Sequence, residues 1–122
     1  MPKEIRIIGV VDDDHRVLSG LQQLLESVGY EVMPFRSARD LLTSNDLSRI
    51  ECVITDIGMP EINGLELREI LERRFPEKRV ILITGRYELI ENLPQKTGLK
   101  ILKKPFDSAA LLLAISEASS KN

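Results

Sequence analysis

Several short apolar runs in this sequence are followed by polar side chains that can bind ions or take part in group transfer. The polar side chains that follow these runs are Asp12 and Asp13, Asp56, Thr84 and Lys104. Three carboxylates held close together repel one another and raise each other's pKa. A divalent cation such as Mg²⁺ relieves that repulsion because it prefers oxygen ligands, and a lysine offers a compact positive charge to an anion. The set therefore suits transfer of a phosphoryl group, which needs positioning and charge neutralisation more than covalent chemistry.

Asp56 is the predicted acceptor, because a carboxylate can serve as the nucleophile toward a phosphoryl group. It ends the apolar run Cys52–Asp56, which is short and bounded by turn residues and therefore indicates a buried strand. Parallel α/β sheets bind ligands at the carboxyl ends of their strands, where this residue would lie. Gly58 carries no side chain and leaves the approach to Asp56 open.

Strand and helix patterns alternate five times along the chain. The predicted strands are Ile5–Val11, Tyr30–Met33, Cys52–Asp56, Arg79–Thr84 and Leu99–Leu102. This alternation predicts an α/β fold, a doubly wound parallel sheet with right-handed crossovers and helices on both faces. The strand ends of such a sheet share one edge, so we expect the polar side chains that follow them to converge.

The helices are predicted from apolar stripes and from capping residues. Asp14 and Asp107 are the expected N-caps of the first and last helices. Pro94 interrupts the segment between the fourth and fifth strands, so the fourth helix is predicted to be short or irregular. Residues 119–122 are predicted to form a frayed tail.

Composition and charge exclude several classes of protein. The chain has 122 residues, which predicts a single domain over 1–122, and its net charge of −2 provides no basic field for nucleic acid. Cys52 is the one cysteine, which excludes an internal disulfide and makes a cysteine-based zinc site implausible. The start lacks the apolar core of a signal peptide, and no apolar run approaches the ~20 residues of a membrane span. A cytoplasmic protein without a membrane partner is the expectation.

Four blocks of the sequence resemble the signature motifs of bacterial response-regulator receiver domains. They are Val10–Asp14, Thr55–Pro60, Ile83–Gly85 and Lys104–Phe106, and together they span nearly the whole chain. The triple aspartate and the Ile-Thr-Gly block are most similar to the nitrogen-fixation regulator subgroup. The resemblance implies a two-component signalling protein with a flavodoxin-like sheet of strand order 2-1-3-4-5.

The resemblance also implies a phosphoacceptor and a metal site. Asp56 would take a phosphoryl group from the phosphohistidine of a histidine kinase or a histidine phosphotransfer protein. Asp12 and Asp13 would bind Mg²⁺ together with Asp56 and the backbone carbonyl of Gly58. Without the other motifs, an acidic run such as Asp12–Asp14 would be interpreted as an ordinary solvated loop and helix cap. Asp14 is predicted to be a helix cap only.

Two further roles follow from the resemblance. Thr84 would bond to a phosphoryl oxygen and move on activation, and Lys104 would pair with the phosphoryl charge. The neighbouring Lys103 is a competing candidate, and Pro105 favours Lys104 because the lysine of the family directly precedes a proline. The Lys104–Pro105 peptide bond is expected to be cis. The protein would not be an enzyme beyond its own phosphorylation and dephosphorylation at Asp56.

The sequence departs from the family on the predicted output side. Ile101 stands where the family usually has an aromatic residue, three positions before the lysine. We therefore expect retained phosphoryl chemistry with an atypical output face, acting on a downstream protein or a fused output domain. Direct DNA binding is not expected, because no DNA-binding helices follow Asn122.

One alternative is a pseudo-receiver, a protein-interaction module with little or no phosphorylation. Another is an Asp-nucleophile phosphohydrolase, which the glycine at position 58 disfavours because such enzymes usually have a second aspartate there.

Overall fold

A five-stranded parallel sheet forms the centre of the protein. The computed structural model describes residues 5–85, 100–105 and 107–120. Within them the strands are β1 (Ile7–Val11), β2 (Glu31–Phe35), β3 (Cys52–Asp56), β4 (Arg79–Thr84) and β5 (Ile101–Lys103). Every pairing is parallel and the spatial order is β2-β1-β3-β4-β5. The predicted fold class and strand order are confirmed.

Helices cover both faces of this sheet. In the described part of the chain they are α1 (His15–Ser27), α2 (Ala38–Leu42), α3 (Gly64–Arg74) and α4 (Ser108–Ser120), and Leu47–Arg49 forms a 3-10 turn. Buried residues of α1 and α4 pack with Ile8, Val10 and Ile54 on one face. Buried residues of α2 and α3 pack with Val11 and Val53 on the other. Strand residues alternate between the two clusters because successive side chains point to opposite faces.

Local capping explains where the helices begin. The side chain of Asp14 accepts a hydrogen bond from the backbone N–H of Arg16 at 2.9 Å. The side chain of Asp107 accepts one from the N–H of Ala110 at 2.6 Å. Both predicted N-caps are thereby confirmed. None of the helices among the described residues is long and apolar enough to cross a membrane.

Several predicted boundaries were wrong. β1 begins at Ile7 rather than Ile5, because the carboxylate of Glu51 accepts hydrogen bonds from the N–H groups of Arg6 and Ile7. β2 continues through Pro34 to Phe35, which an edge strand allows because one side of its backbone has no ladder to maintain.

Two corrections concern the C-terminal third of the chain. β5 comprises Ile101–Lys103, so it extends one residue beyond the predicted end at Leu102. α4 continues through Ser120, where the sequence predicts a frayed tail from residue 119. Residues 121 and 122 and the short or irregular helix predicted around Pro94 lie outside the described residues.

Candidate functional site

Three carboxylates meet at the carboxyl edge of the sheet. Asp12, Asp13 and Asp56 each place one carboxylate oxygen so that the three atoms lie within 4.8 Å of one another. Asp12 and Asp56 are buried, with 1% and 8% of their surface exposed. Asp13 is exposed to solvent. The cluster therefore has a buried floor of two carboxylates and one carboxylate at its open side.

Lys104 reaches into the same cluster from the end of β5. Its Nζ atom lies 3.1 Å from Oδ2 of Asp12 and 3.4 Å from Oδ1 of Asp56. The neighbouring Lys103 is exposed. Of the two candidate lysines, Lys103 and Lys104, it is therefore Lys104 that bridges the carboxylates. The Lys104–Pro105 peptide bond is cis, as the resemblance implies.

The backbone around Asp12 holds its carboxylate in place. The N–H of Asp12 donates to the carbonyl of Phe35 at 3.1 Å, which ties the end of β1 to the end of β2. The N–H of Asp14 donates to Oδ1 of Asp12 at 2.9 Å, while Oδ2 accepts from Lys104. Both carboxylate oxygens of this residue are thus engaged by the protein.

Asp56 is positioned by a close approach of helix α3 to strand β3. A Cβ atom at Gly64 would collide with the backbone carbonyl oxygen of Asp56 and would lie 2.8 Å from Cα of Ile57. The N–H of Gly64 donates to the carbonyl of Ile57 at 2.9 Å. Only a residue without a side chain fits there. Gly64 could not be predicted as a site residue from the sequence, because a close approach between backbones leaves no signal in residue spacing.

Thr84 and Gly58 flank the cluster. Thr84 ends β4, has 1% of its surface exposed, and its carbonyl accepts the N–H of Lys104 at 2.7 Å. Gly58 is half-buried in the loop that follows β3, two residues beyond Asp56. All six residues that the sequence predicts for the site thus belong to the carboxyl ends of neighbouring strands or to the loops that follow them.

Burial and charge shift the protonation equilibria of the cluster. Burial raises the pKa of Asp12, and the nearby charge of Asp56 adds to that rise, while hydrogen bonds from Asp14 and Lys104 oppose it. Burial acts to lower the pKa of Lys104, yet the hydrogen bond and the charge of Asp12, with the charge of Asp56, outweigh it and leave that pKa raised. Lys104 is therefore held as a cation beside a carboxylate that is costly to ionise.

The donor set fits a divalent cation. Mg²⁺ binds oxygens at about 2.1 Å, so two ligands on opposite sides of the ion lie about 4.2 Å apart. The oxygens of the cluster lie within 4.8 Å, so small side-chain movements or a bridging water suffice to close the site around an ion. Three carboxylates and one ammonium leave two negative charges, and a divalent ion neutralises them.

Comparison with known families identifies this arrangement. Residues 8–116 match the family model described as the response regulator receiver domain. The chain belongs to the response-regulator receiver family. The predicted resemblance is confirmed.

Two bacterial proteins are identical to this chain at about a third of the aligned positions. The transcriptional regulatory protein FixJ of Azorhizobium caulinodans is 36% identical over 117 residues, which cover 94% of this chain and 55% of that protein. Nodulation protein W of Bradyrhizobium diazoefficiens is 32% identical over 118 residues, which cover 95% of this chain and 52% of that protein. The chain spans about half the length of these relatives.

Solved receiver structures share the fold. A response regulator receiver domain from Clostridium thermocellum has a TM-score of 0.82 and 30% identity, over 93% of this chain and 94% of that one. The response regulator protein TrrA of Thermotoga maritima, solved in complex with Mg²⁺ and beryllium fluoride, has a TM-score of 0.82 over 93% of this chain and 99% of that one. Its identity is 24%, so this second likeness concerns the fold alone.

Proposed function

We propose that this receiver domain is a phosphoaccepting switch whose acceptor is Asp56. The observation that carries the proposal is the meeting of three carboxylate oxygens within 4.8 Å, bridged by the ammonium of Lys104. Strand ends gather such a charged group at the site where α/β sheets bind ligands. The group has a net negative charge, a buried floor and one open side, which suits an ion and a small anionic donor.

The proposed chemistry is one displacement at phosphorus. A carboxylate oxygen of Asp56 attacks the phosphorus atom of a phosphohistidine, and an O–P bond forms as the P–N bond breaks. The imidazole nitrogen leaves with the electron pair of that bond and takes a proton from solvent. The product is an acyl phosphate on Asp56. Later attack by water on its phosphorus breaks the O–P bond to Asp56, releases inorganic phosphate and restores the carboxylate. Gly58 has no side chain that would restrict the approach of the donor.

The surrounding residues would neutralise the charge that accumulates. Mg²⁺, when bound, would offset the charge of the carboxylates and of the phosphoryl oxygens. Asp12, Asp13 and Asp56, with the carbonyl of Gly58, would hold it. Lys104 would pair with the phosphoryl charge, because its flexible stem already carries an ammonium to the edge of Asp56.

Thr84 would convert phosphorylation into a conformational change. Its hydroxyl is the proposed hydrogen-bond donor to a phosphoryl oxygen, and its place at the end of β4 next to β3 supports that role. Ile101 is half-buried on β5, at the position where the family usually has an aromatic residue. We therefore propose that the signal leaves through an atypical output face that includes Ile101.

The proposed partners follow from this chemistry. A histidine kinase or a histidine phosphotransfer protein would supply the phosphoryl group in the cytoplasm. Residues 1–122 would act as one receiver unit that controls a downstream protein or a fused output domain. A net charge of −2 supports signalling through a protein rather than through direct contact with DNA.

Intact-mass measurement tests the proposal. We expect incubation with phosphoramidate or acetyl phosphate and Mg²⁺ to add the mass of one phosphoryl group to the wild type and none to Asp56→Asn. Asp14→Asn is the matched control, because asparagine preserves the N-cap and leaves the cluster intact. It should be phosphorylated like the wild type.

Other outcomes would support other functions. A folded wild type that binds Mg²⁺ but gains no mass would favour the pseudo-receiver alternative. Rapid turnover of unrelated phosphomonoesters would favour a phosphohydrolase. A phosphoryl adduct that persists in Asp56→Asn would assign the acceptor to another residue.

A further inference from the structure

A three-residue turn follows Asp56 at the end of β3. The N–H of Met59 donates to the carbonyl of Ile57 at 3.0 Å, which closes a γ-turn with Gly58 at its centre. Such a turn uses the carbonyl of its first residue and the N–H of its third, so the carbonyl of Gly58 takes no part in it. That carbonyl is the one backbone group among the proposed metal ligands, and the turn therefore determines where it points.

The carbonyl of Ile57 also holds the start of helix α3. It accepts a second hydrogen bond, at 2.9 Å, from the N–H of Gly64, which is the first residue of the helix. The N–H of Ile57 donates to the carbonyl of Ile83 on β4 at 2.9 Å, and Ile57 is only 2% exposed. Ile57 is thus fixed to the sheet through its N–H, and its carbonyl is shared between the turn and the helix.

The position of the Gly64 N–H depends on how α3 is capped. Oδ1 of Asn63 accepts a hydrogen bond from the N–H of Glu66 at 2.9 Å, and Oε1 of Glu66 accepts one from the N–H of Asn63 at 2.9 Å. This capping box satisfies two backbone donors and fixes the residue at which the helix begins. Without it the first turn of the helix frays, and the N–H of Gly64 is no longer held against Ile57.

We propose that Asn63 and Glu66 are positioning residues for the metal site, because their capping box orients the carbonyl of Gly58. Neither side chain belongs to the acidic cluster. The effect passes from the box to the N–H of Gly64, then to the carbonyl of Ile57, and through the turn to Gly58. The inference rests on the proposed function for the metal and for the Gly58 ligand, and it adds a dependence of metal affinity on the start of α3.

Calorimetric titration with MgCl₂, without any phosphodonor, tests this dependence. We expect Asn63→Ala to bind Mg²⁺ about tenfold more weakly than the wild type, as the loss of a group that orients a metal ligand predicts. Asn63→Ser retains a capping oxygen, and its affinity should stay within about twofold of the wild type. Neither substitution changes the net charge, so a difference between the two variants cannot come from electrostatic attraction of the ion.

A cap on another helix separates the positioning role from a general loss of stability. Ser37 caps α2 by accepting a hydrogen bond from the N–H of Asp40 at 3.0 Å. Ser37→Ala should lower the midpoint of urea unfolding about as much as Asn63→Ala does, because each substitution removes one N-cap. The Mg²⁺ affinity of Ser37→Ala should nevertheless equal that of the wild type. Similar losses of Mg²⁺ affinity in the two variants would overturn the positioning role.

Hydrogen exchange on the wild-type protein gives a second test that needs no variant. Coupling between two sites is reciprocal, so a capping box that favours Mg²⁺ binding is itself favoured by bound Mg²⁺. We expect Mg²⁺ to slow exchange of the amide hydrogens of Gly64 and Glu66 several-fold and to leave that of Asp40 unchanged. Exchange at Gly64 that does not respond to Mg²⁺ would contradict the coupling.

The possible results separate this inference from the proposed function. Unchanged Mg²⁺ affinity in Asn63→Ala would overturn the positioning role and leave the phosphoacceptor role standing. A folded wild type that binds no Mg²⁺ would overturn the proposed metal site together with this inference. Weaker Mg²⁺ binding by Asn63→Ala, beside a wild type that gains no phosphoryl group, would support the positioning role and contradict the switch.

Discussion

Both ends of the sheet carry carboxylates and cationic side chains, but the two ends differ in the ratio of cations to carboxylates. At the amino ends of β4 and β5, a cavity of about 270 Å³ is bordered by the ion pairs Arg68–Glu72 and Lys100–Glu117. Each of these two cations has its own carboxylate, and in the second pair the side chains are 46% and 55% exposed. Two further cations line the cavity, Lys78 and Arg79, and their side chains donate to backbone carbonyls. At the carboxyl ends the ammonium of Lys104 contacts two of the three carboxylates, those of Asp12 and Asp56. The side chain of Asp12 is only 1% exposed.

The difference indicates which of the two charged regions suits a cation. Exposed one-to-one pairs contribute little to stability and leave no charge for a ligand to neutralise. A buried and unbalanced acidic group is costly, and such groups concentrate at functional sites. The comparison supports the proposal that a cation binds at the carboxyl edge and not at the border of the cavity, where cationic side chains outnumber carboxylates.

The largest expected effect tests how tightly the backbone is packed at the carboxyl edge. Gly64→Ala would force a methyl group against the carbonyl of Asp56, so we expect a loss of about 2–4 kcal/mol in the free energy of unfolding. Gly20→Ala is the matched control, because a Cβ at that exposed helical position meets nothing within 4 Å. It should raise stability by about 0.5–1 kcal/mol, as alanine does in a helix. Urea unfolding of the two variants measures both changes, and a Gly64→Ala protein as stable as the wild type would contradict the close packing.

A smaller effect tests the charge imbalance through its pH dependence. The pKa of Asp12 is raised above its ordinary value of 3.8, chiefly by burial, so the folded protein binds this proton more tightly than the unfolded chain does. The contribution of Asp12 to stability is therefore greatest below pH 3.8 and falls as the pH rises from there through the folded pKa of this group. Without metal, Asp12→Asn should be more stable than the wild type at pH 7 by about 1 kcal/mol.

Unfolding in EDTA at several pH values measures that prediction. The advantage of Asp12→Asn should vanish below pH 3.8, where the aspartate is protonated in both states. Added Mg²⁺ should reduce or reverse the advantage at pH 7, since the ion stabilises the ionised wild-type cluster. If Asp12→Asn is instead less stable than the wild type at pH 7 in EDTA, the ionised carboxylate of Asp12 does not destabilise the metal-free protein.

The smallest expected effect tests an ion pair beside the cavity at the amino ends of β4 and β5. Glu117→Gln removes the carboxylate that pairs with Lys100 at 2.7 Å between two exposed side chains. We expect a change of at most about 0.5 kcal/mol in the free energy of unfolding and no change in Mg²⁺ affinity. Thermal unfolding and Mg²⁺ titration check the two parts, and a clear change in Mg²⁺ affinity would show that the two ends of the sheet are not independent.

Sequence alone predicted the features that depend on local pattern. The buried run Cys52–Asp56 became the central strand β3 with the predicted carboxylate at its end. Asp14 and Asp107 were identified as caps because their hydrogen bonds lie within three residues in the chain. The convergence of Asp12 and Asp56 followed from the parallel sheet alone, since strand ends share an edge.

The features that sequence missed depend on contacts between distant segments. Gly64 appears in the sequence as a flexible residue, and only the approach of α3 to β3 shows why a side chain cannot fit. The capping box of Asn63 and Glu66 has a recognisable spacing that the sequence analysis overlooked. The bridge from Lys104 to Asp12 joins residues 92 positions apart, so its geometry could not be read from spacing.

Chemical trapping of the acyl phosphate tests the central claim most directly, because it asks which of three neighbouring aspartates carries the phosphoryl group. The protein is treated with phosphoramidate and Mg²⁺ and reduced with borohydride, which converts a phosphorylated aspartate into homoserine, and its peptides are then sequenced by mass spectrometry. We predict homoserine at position 56 and unchanged aspartate at positions 12 and 13. Homoserine at position 12 or 13, or none in a folded protein that binds Mg²⁺, would contradict the assignment of Asp56 as the acceptor.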